Sequence, residues 1–287
     1  MKDYVFAGGT AVVTGAASGI GEALAHGLAA RRSDLVLLDR DGDRLSSVAA
    51  RLRTEHPEVG VRTHVVDLGD RAATAATAAA LLAESPRVTL LVNNASTATL
   101  GRFDQTDLDQ VWQLLDVNLR GTVHLTHALL PALKASPGAH LANVSSAFGL
   151  FAAPRQAAYV ASKFAVRGFT EALRAELRPL GIGVTSVHPG GTRTRLPQHT
   201  AAGDGVPADE ARVQFRAFER ILTMAPEHVA EAILTGVERR RPRVLIGWSA
   251  RVPDLLVRVA PGAYTQLTAA GEAVLGWGLP RVLRRGR

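Results

Sequence analysis

Short β-branched or leucine-rich runs alternate along the chain with longer stretches of helical spacing, and that alternation leaves few folds open. Seven runs are legible, at residues 11–14, 34–39, 62–67, 90–93, 140–144, 183–188 and 243–246. Apolar groups recur at helical intervals over 21–31, 41–55, 71–84, 107–134, 159–179 and 226–239. Strands that are apolar throughout must be covered on both faces, and helices inserted between them supply the cover. The pattern predicts an α/β fold, a doubly wound seven-stranded parallel sheet with helices on both faces. Gly121 interrupts the 107–134 stretch, which reads as two helices run together. Two regions stand outside the rhythm. Residues 196–223 join a polar loop to an apolar-periodic segment with Phe215, Phe218, Ile221 and Leu222, and read as a lid over about 195–224. Residues 251–287 mix apolar groups with prolines and read as a C-terminal helical extension packed on the domain formed by 1–250 or on a partner subunit.

At 287 residues the chain can bury a large core in one domain, and its 47% apolar and 21% charged residues are ordinary for a globular protein. A net charge of +7 would suit nucleic acid, but the arginines are scattered among carboxylates, so no nucleic-acid partner is expected. The absence of cysteine excludes disulfides, thiolate metal ligands and a cysteine nucleophile. None of the nine histidines has metal-ligand spacing, and no metal is expected. No run approaches the roughly 20 apolar residues of a membrane span. Residues 1–9 carry no signal-peptide pattern, so a cytoplasmic location is the expectation. A peripheral membrane contact by the C-terminal segment stays open, because Leu255, Leu256, Val257, Leu275, Trp277 and Leu279 stand among arginines there.

Gly15, Ser18, Gly19, Ile20 and Gly21 follow the first run directly and open the first helix. Glycines let the backbone turn tightly and approach a pyrophosphate, whose charge is stabilised by free amide donors at a helix N-terminus. The spacing is Gly-x-x-x-Gly-x-Gly rather than the commoner Gly-x-Gly-x-x-Gly. Asp39 ends the second run, where a carboxylate accepts hydrogen bonds from an adenosine ribose and repels a 2′-phosphate, which favours NAD. Arg40 follows at once and offers the alternative, a cation for the 2′-phosphate of NADP.

Tyr159 and Lys163 stand four apart, on one face of a helix, so a phenol and an ammonium can point into the same cleft. A fixed cation favours the phenolate, and the pair is a candidate acid/base. Of 33 basic residues only Lys2, Lys134 and Lys163 are lysines, so a lysine at this position looks selected for its compact, tunable ammonium.

With Asn93-Asn94-Ala95, Asn118, Ser146 and Pro189-Gly190 added in this order, the chain resembles a classical short-chain dehydrogenase/reductase over about residues 5–250. The resemblance implies a Rossmann fold. It implies that Asp67 and Leu68 border an adenine, that Asn93, Asn94 and Ala95 support the fourth strand and the adenosine ribose, and that Pro189, Gly190, the Thr192 backbone and Thr194 lie at the nicotinamide end. It casts Tyr159 as proton donor and acceptor, Ser146 as the hydroxyl that orients the reacting oxygen, and Lys163 as the cation that lowers the tyrosine pKa and holds the nicotinamide ribose. It makes Asn118 the residue that kinks its helix and holds a water linking Lys163 to solvent. Ser145 and His188 are expected to be structural. Ser96 departs from the pattern, because the family usually has glycine there. The resemblance also implies a homodimer or homotetramer through the helices at 107–134 and 159–179.

Phe148, Leu150, Phe151, Leu100, Phe103 and the lid phenylalanines suggest a hydrophobic secondary alcohol or ketone as the small-molecule substrate. Arg155, Gln156, Arg193 and Arg195 would suit a carboxylate or polyketide-like compound instead. A non-catalytic, dinucleotide-sensing regulatory protein is the rival from another class, but such relatives usually lose the Tyr-Lys pair.

Overall fold

Each of the seven runs read from the sequence becomes a strand, and four of them, 34–39, 90–93, 140–144 and 243–246, keep their limits. The computed structural model describes residues 2–85 and 87–266. Its strands are β1 (Thr10–Thr14), β2 (Asp34–Asp39), β3 (Val61–Val65), β4 (Leu90–Asn93), β5 (Ala98–Leu100), β6 (His140–Val144), β7 (Gly183–Pro189), β8 (Thr200–Ala202) and β9 (Arg243–Ile246). Seven of them form one parallel sheet in the order β3-β2-β1-β4-β6-β7-β9, with Val12 beside Val36 on one side and Leu91 on the other. The third strand stops at Val65, short of the expected 67, so Asp67 and Leu68 lie beyond its end.

Each sheet face has its own core, and the period of two sorts the side chains between them. Val13, Leu35, Leu37, Leu90 and Val92 pack with α1 (Gly19–Ala29), α2 (Gly42–Glu55) and α8 (Pro226–Glu238). Their neighbours Val12, Val36, Leu38 and Leu91 pack on the opposite face with α3 (Arg71–Glu84), α5 (Thr122–Lys134) and α6 (Ala157–Leu177). The strand order reverses direction between β1 and β4. The crevice at the carboxyl ends of those strands is where a doubly wound sheet receives a ligand.

Gly121 does not break the 107–134 stretch. Helix α4 (Leu108–Leu115) runs through six residues of π-helix, Asp116–Gly121, directly into α5. A Cβ on Gly121 would stand 2.8 Å from the Leu68 Cβ, so the glycine serves close packing against the chain beyond β3. The 195–224 region is more structured than a polar loop. It holds β8, which pairs with β5 in a two-stranded ribbon, and helix α7 (Ala208–Ile221). The start of the C-terminal extension is helix α9 (Trp248–Val259), of which Ala250 is buried while Trp248, Val252, Leu255 and Val259 expose apolar side chains. Residues 267–287, including Leu275, Trp277 and Leu279, lie outside the described residues. Among the described residues no helix is long and apolar enough to cross a membrane, and no group of acidic or histidine side chains could hold a metal.

Candidate active site

The turn from β1 to α1 is shaped by atoms that leave no room for a side chain. A Cβ on Gly21 would lie 1.9 Å from the Gly15 carbonyl oxygen, and one on Gly15 would lie 2.9 Å from the Ala95 Cα. Gly15 and Gly19 have φ of +67° and +56°, which L side chains rarely adopt. Asp41 and Asp70 cap α2 and α3 with their carboxylates, whereas Ser18 makes no side-chain cap bond at the start of α1. Thr14 Oγ1 accepts the backbone N–H groups of both Asn94 (2.9 Å) and Ala95 (3.0 Å), and Asn94 Nδ2 donates to the Thr14 carbonyl (3.0 Å). The ends of β1 and β4 are thereby locked together under the turn. Asp39 is fixed at the tip of β2 by the N–H groups of Ala17 (2.9 Å) and Asp41 (3.0 Å). An uncapped helix start, a cradle without Cβ room and a carboxylate on the wall are what a dinucleotide's pyrophosphate and ribose require.

These residues open onto a cavity of about 490 Å³ that continues to Ser146, Tyr159 and Lys163. Sixteen predicted positions line it: Gly15, Ser18, Ile20, Asp39, Arg40, Asp67, Leu68, Asn94, Ala95, Ser146, Tyr159, Lys163, Pro189, Gly190, Thr192 and Thr194. Gly19, Gly21 and Asn118 do not. The two glycines shape the turn from behind, and Asn118 acts one layer further back.

Asn118 lies in the π-helical segment, and its amide is fully engaged. Nδ2 donates to the Thr97 carbonyl (2.9 Å) and to Ser162 Oγ (3.1 Å), while Oδ1 accepts the Thr97 N–H (2.8 Å). Both amide hydrogens are used, so the side chain is a clamp on Thr97. Its own carbonyl accepts the Thr122 hydroxyl (2.9 Å).

Ser146 Oγ accepts the Phe148 N–H (3.1 Å), and the residue lines the same cavity as Tyr159. The neighbouring Ser145 is buried and donates to the Lys163 carbonyl (2.8 Å), which is the structural role expected of it. His188 is structural as well. Its Nδ1 lies 3.1 Å from the Ser146 carbonyl, which can only accept, so Nε2 accepts from Ser186 Oγ (2.9 Å). Burial pushes His188 down to about 4, which keeps the ring neutral.

Tyr159 and Lys163 are buried together. Lys163 Nζ donates to the Val144 carbonyl (3.2 Å) and stands 5.6 Å from the centre of the Tyr159 ring. Burial holds the lysine itself down to about 7, so near neutral pH its charge is only partly present. Burial likewise raises the Tyr159 phenol above its ordinary value, and the opposing pull comes from two hydroxyls, Ser146 first and then Ser96.

The far wall was only partly anticipated. Phe148, Phe151, Leu196, Phe218, Ile221 and Leu222 line it together with Trp248 and Pro253 of α9. Leu150 is buried behind the wall, Leu100 lies in β5, and Phe103 is exposed. Arg155, Gln156, Arg193 and Arg195 do not line the cavity. Arg155 instead donates to Glu210 of α7 at 2.6 Å, an ion pair largely withdrawn from solvent. His199, missed in the sequence, lines the cavity and meets Arg40, with Arg40 Nη2 3.1 Å from His199 Nδ1.

Fold and site together define an α/β protein with a dinucleotide-type cleft that ends in a Ser-Tyr-Lys cluster. Residues 9–204 match the short chain dehydrogenase family, and the chain belongs to that family of oxidoreductases. It is 39% identical over 271 residues to the candidate oxidoreductase SadH of Mycobacterium tuberculosis, covering 93% of this chain and 96% of that one. It is 34% identical to dehydrogenase/reductase SDR family member 7B of Xenopus laevis, covering 90% of this chain and 80% of the other. A short-chain dehydrogenase/reductase from Burkholderia phymatum in complex with NAD superposes with a TM-score of 0.79 at 25% identity, covering 92% of this chain and 96% of that one. A short-chain dehydrogenase from Sphingobium yanoikuyae in complex with NADPH gives 0.72 at 29% identity, covering 97% and 98%.

Proposed function

We propose that the chain is a nicotinamide-dependent oxidoreductase that interconverts an apolar secondary alcohol and its ketone, with Tyr159 as the acid/base. The observation that carries this reading is the meeting of Ser146, Tyr159 and Lys163 at one end of a single cavity whose other end holds the glycine turn and Asp39. A bound nicotinamide dinucleotide supplies the acceptor or donor of the hydride. The cradle around Gly15 and Gly21 and the open start of α1 hold its pyrophosphate, and Asp39 holds the adenosine ribose. NAD is the preferred form, because the Asp39 carboxylate is fixed on the wall while Arg40 is engaged with His199. The solved relatives with NAD and with NADPH keep both forms within the family's range.

Tyr159 exchanges a proton with the substrate oxygen, and Ser146 donates a hydrogen bond to that oxygen. Lys163, held by Val144, places a partial positive charge beneath the phenol ring. Asn118 keeps Thr97, and with it the chain above the tyrosine, in place. The substrate is apolar because the lid-side wall is made of phenylalanine, leucine, isoleucine and tryptophan. The charged lining residues Asp39, Arg40 and Asp67 stand at or just beyond the ends of β2 and β3, and Lys163 stands on α6, so none belongs to the lid. A homodimer or homotetramer belongs to the same reading, supported by the exposed Leu108 and Trp112 on α4 and Phe164 on α6.

Tyr159→Phe is the test. It removes the proton and keeps the ring, so NADH binding followed by fluorescence should hold while turnover of octan-2-ol falls by about 10²–10⁴-fold. Turnover near the wild-type rate in this variant would sink the assignment.

A further inference from the structure

Helix α9 holds an apolar stripe in water that the chemistry of the cleft does not use. Trp248, Val252, Leu255 and Val259 are 77%, 58%, 63% and 75% exposed. At about 100° per residue their spacing brings all four into an arc of about 60°. Four of the twelve large apolar side chains exposed among the described residues therefore stand in one line, a patch rather than scatter. The opposite side of the helix is fixed to the body. Ala250 is buried, and the Asp254 carboxylate accepts from Arg243 of β9 (3.1 Å) and from Arg258 (3.1 Å). The stripe cannot turn inward without breaking that anchor.

Charge and position select what covers it. Residues 248–287 carry six arginines against Asp254 and Glu272, so this end of the chain holds four of its seven net positive charges. Arg251 and Arg258 are exposed on α9 itself, and its one carboxylate is already paired. A tryptophan and aliphatic groups in one line, flanked by arginines, suit a helix lying in a lipid interface: the apolar side chains enter the acyl boundary, the indole sits at headgroup level, and the cations meet anionic headgroups. Trp248 and Pro253 also line the cavity, so the stripe adjoins the cavity mouth. We propose that α9 docks the protein on an anionic lipid bilayer with the cavity opening toward the lipid. One consequence rests on the oxidoreductase reading: the apolar alcohol or ketone enters from the lipid rather than from water.

Cosedimentation with vesicles tests the docking without cofactor or turnover. Wild-type protein should bind vesicles of equimolar phosphatidylserine and phosphatidylcholine at least about tenfold more tightly than vesicles of phosphatidylcholine alone. The double variant Leu255→Asn/Val259→Asn changes two exposed side chains that do not line the cavity, and should weaken binding to the anionic vesicles at least about tenfold while Tm and NADH affinity hold. The chain has three tryptophans, so Trp112→Phe/Trp277→Phe leaves Trp248 as the sole indole. Its emission should move to shorter wavelength on the anionic vesicles and be quenched by brominated acyl chains. Turnover of hexadecan-2-ol supplied in those vesicles should fall in the double asparagine variant, with turnover of dissolved octan-2-ol unchanged. Wild-type protein that sediments with neither vesicle overturns the proposal, as does equal binding to both lipids or undiminished binding of the double variant. A second copy of the chain on the stripe would show as a loss of dimer mass in that variant without vesicle binding by the wild type. Cover by the chain's own residues would show as Trp248 emission already short in buffer and unmoved by lipid. Either result overturns the proposal as well. Failure of the oxidoreductase reading shows differently, as turnover retained by Tyr159→Phe while vesicle binding stands.

Discussion

The sheet-side half of the cleft is built from neighbouring strands of one continuous ladder, whereas the lid-side half joins the body through a three-residue ribbon, single loop contacts and one withdrawn ion pair. Thr14, Asn94 and Asp39 each bond main-chain groups within or beside the parallel sheet. The lid is joined to the body by the three residue pairs of the β5–β8 ribbon, by the N–H groups of Gly203 and Gly205 on the Leu100 and Gln105 carbonyls (2.8 and 2.9 Å), by Gln110 on Asp204, and by Glu210, which accepts from Arg155 (2.6 Å) and Gln105 (3.3 Å). The difference teaches where specificity can change. A wall made of a continuous strand ladder tolerates little, while a wall held by a short ribbon and scattered contacts can be re-aimed with less effect on what lies beneath.

The largest expected effect is on the sheet side, from Lys163→Met. The folded protein holds the lysine at about 7 against 10.5 when exposed, so at and below neutral pH folding must bury a charge. Between about pH 7 and 10.5 the unfolded chain binds the proton that the folded one has lost, and stability rises with pH through that window. Methionine removes both the cost and the slope. Denaturant unfolding near pH 7 should show a gain of up to several kcal/mol, capped by the shift at roughly 1.4 kcal/mol per unit, together with a loss of turnover of at least about 100-fold. The gain should vanish near pH 10. A destabilised variant would mean that the Val144 hydrogen bond outweighs the burial of the ammonium.

Glu210→Ala comes next and tests whether the two halves are independent. It leaves Arg155 largely buried without its anion, a cost of about 3–5 kcal/mol for such pairs. Because α7 carries the lost contact, hydrogen exchange over 208–221 should accelerate and the KM for octan-2-ol should rise at least about tenfold, with NADH affinity unchanged. A parallel fall in NADH affinity would break the comparison and make lid and sheet one cooperative unit.

The same division decides what could be read from the sequence. Strands β2, β4, β6 and β9 match their predicted limits, because short clusters of Leu, Val and Ile mark each of them locally. The residues at strand ends followed, since a doubly wound sheet puts its site there. Strands β5 and β8 were invisible: three residues each, they pair across about a hundred positions and leave no period to detect. His199, Trp248 and Pro253 line the cavity only because the lid and α9 fold back over it, which no local pattern encodes. The Tyr-Lys spacing was legible, but the burial that holds Lys163 down was not, since it depends on everything packed around the lysine.

The smallest expected effect lies at the place where the halves touch. Arg40, at the tip of β2, reaches His199 in the turn after Thr194, and the imidazole can accept that hydrogen bond only while neutral. Desolvation, with Arg40 and Arg195 nearby and opposed by Asp39 and Asp41, holds His199 below its ordinary value, so the contact persists at neutral pH and weakens only as the solution turns acid. An exposed pair of this kind is worth under about 1 kcal/mol. Its influence is therefore on preference rather than on stability. With Arg40 held by the lid, the cation beside Asp39 is drawn away from the position of a 2′-phosphate. His199→Ala releases it, and the ratio of NADPH to NADH affinity, read by cofactor fluorescence, should rise by about three- to fivefold, the equivalent of under 1 kcal/mol, with Tm unchanged. An unchanged ratio would mean that Asp39 alone sets the preference and that the lid has no part in choosing between the two nucleotides.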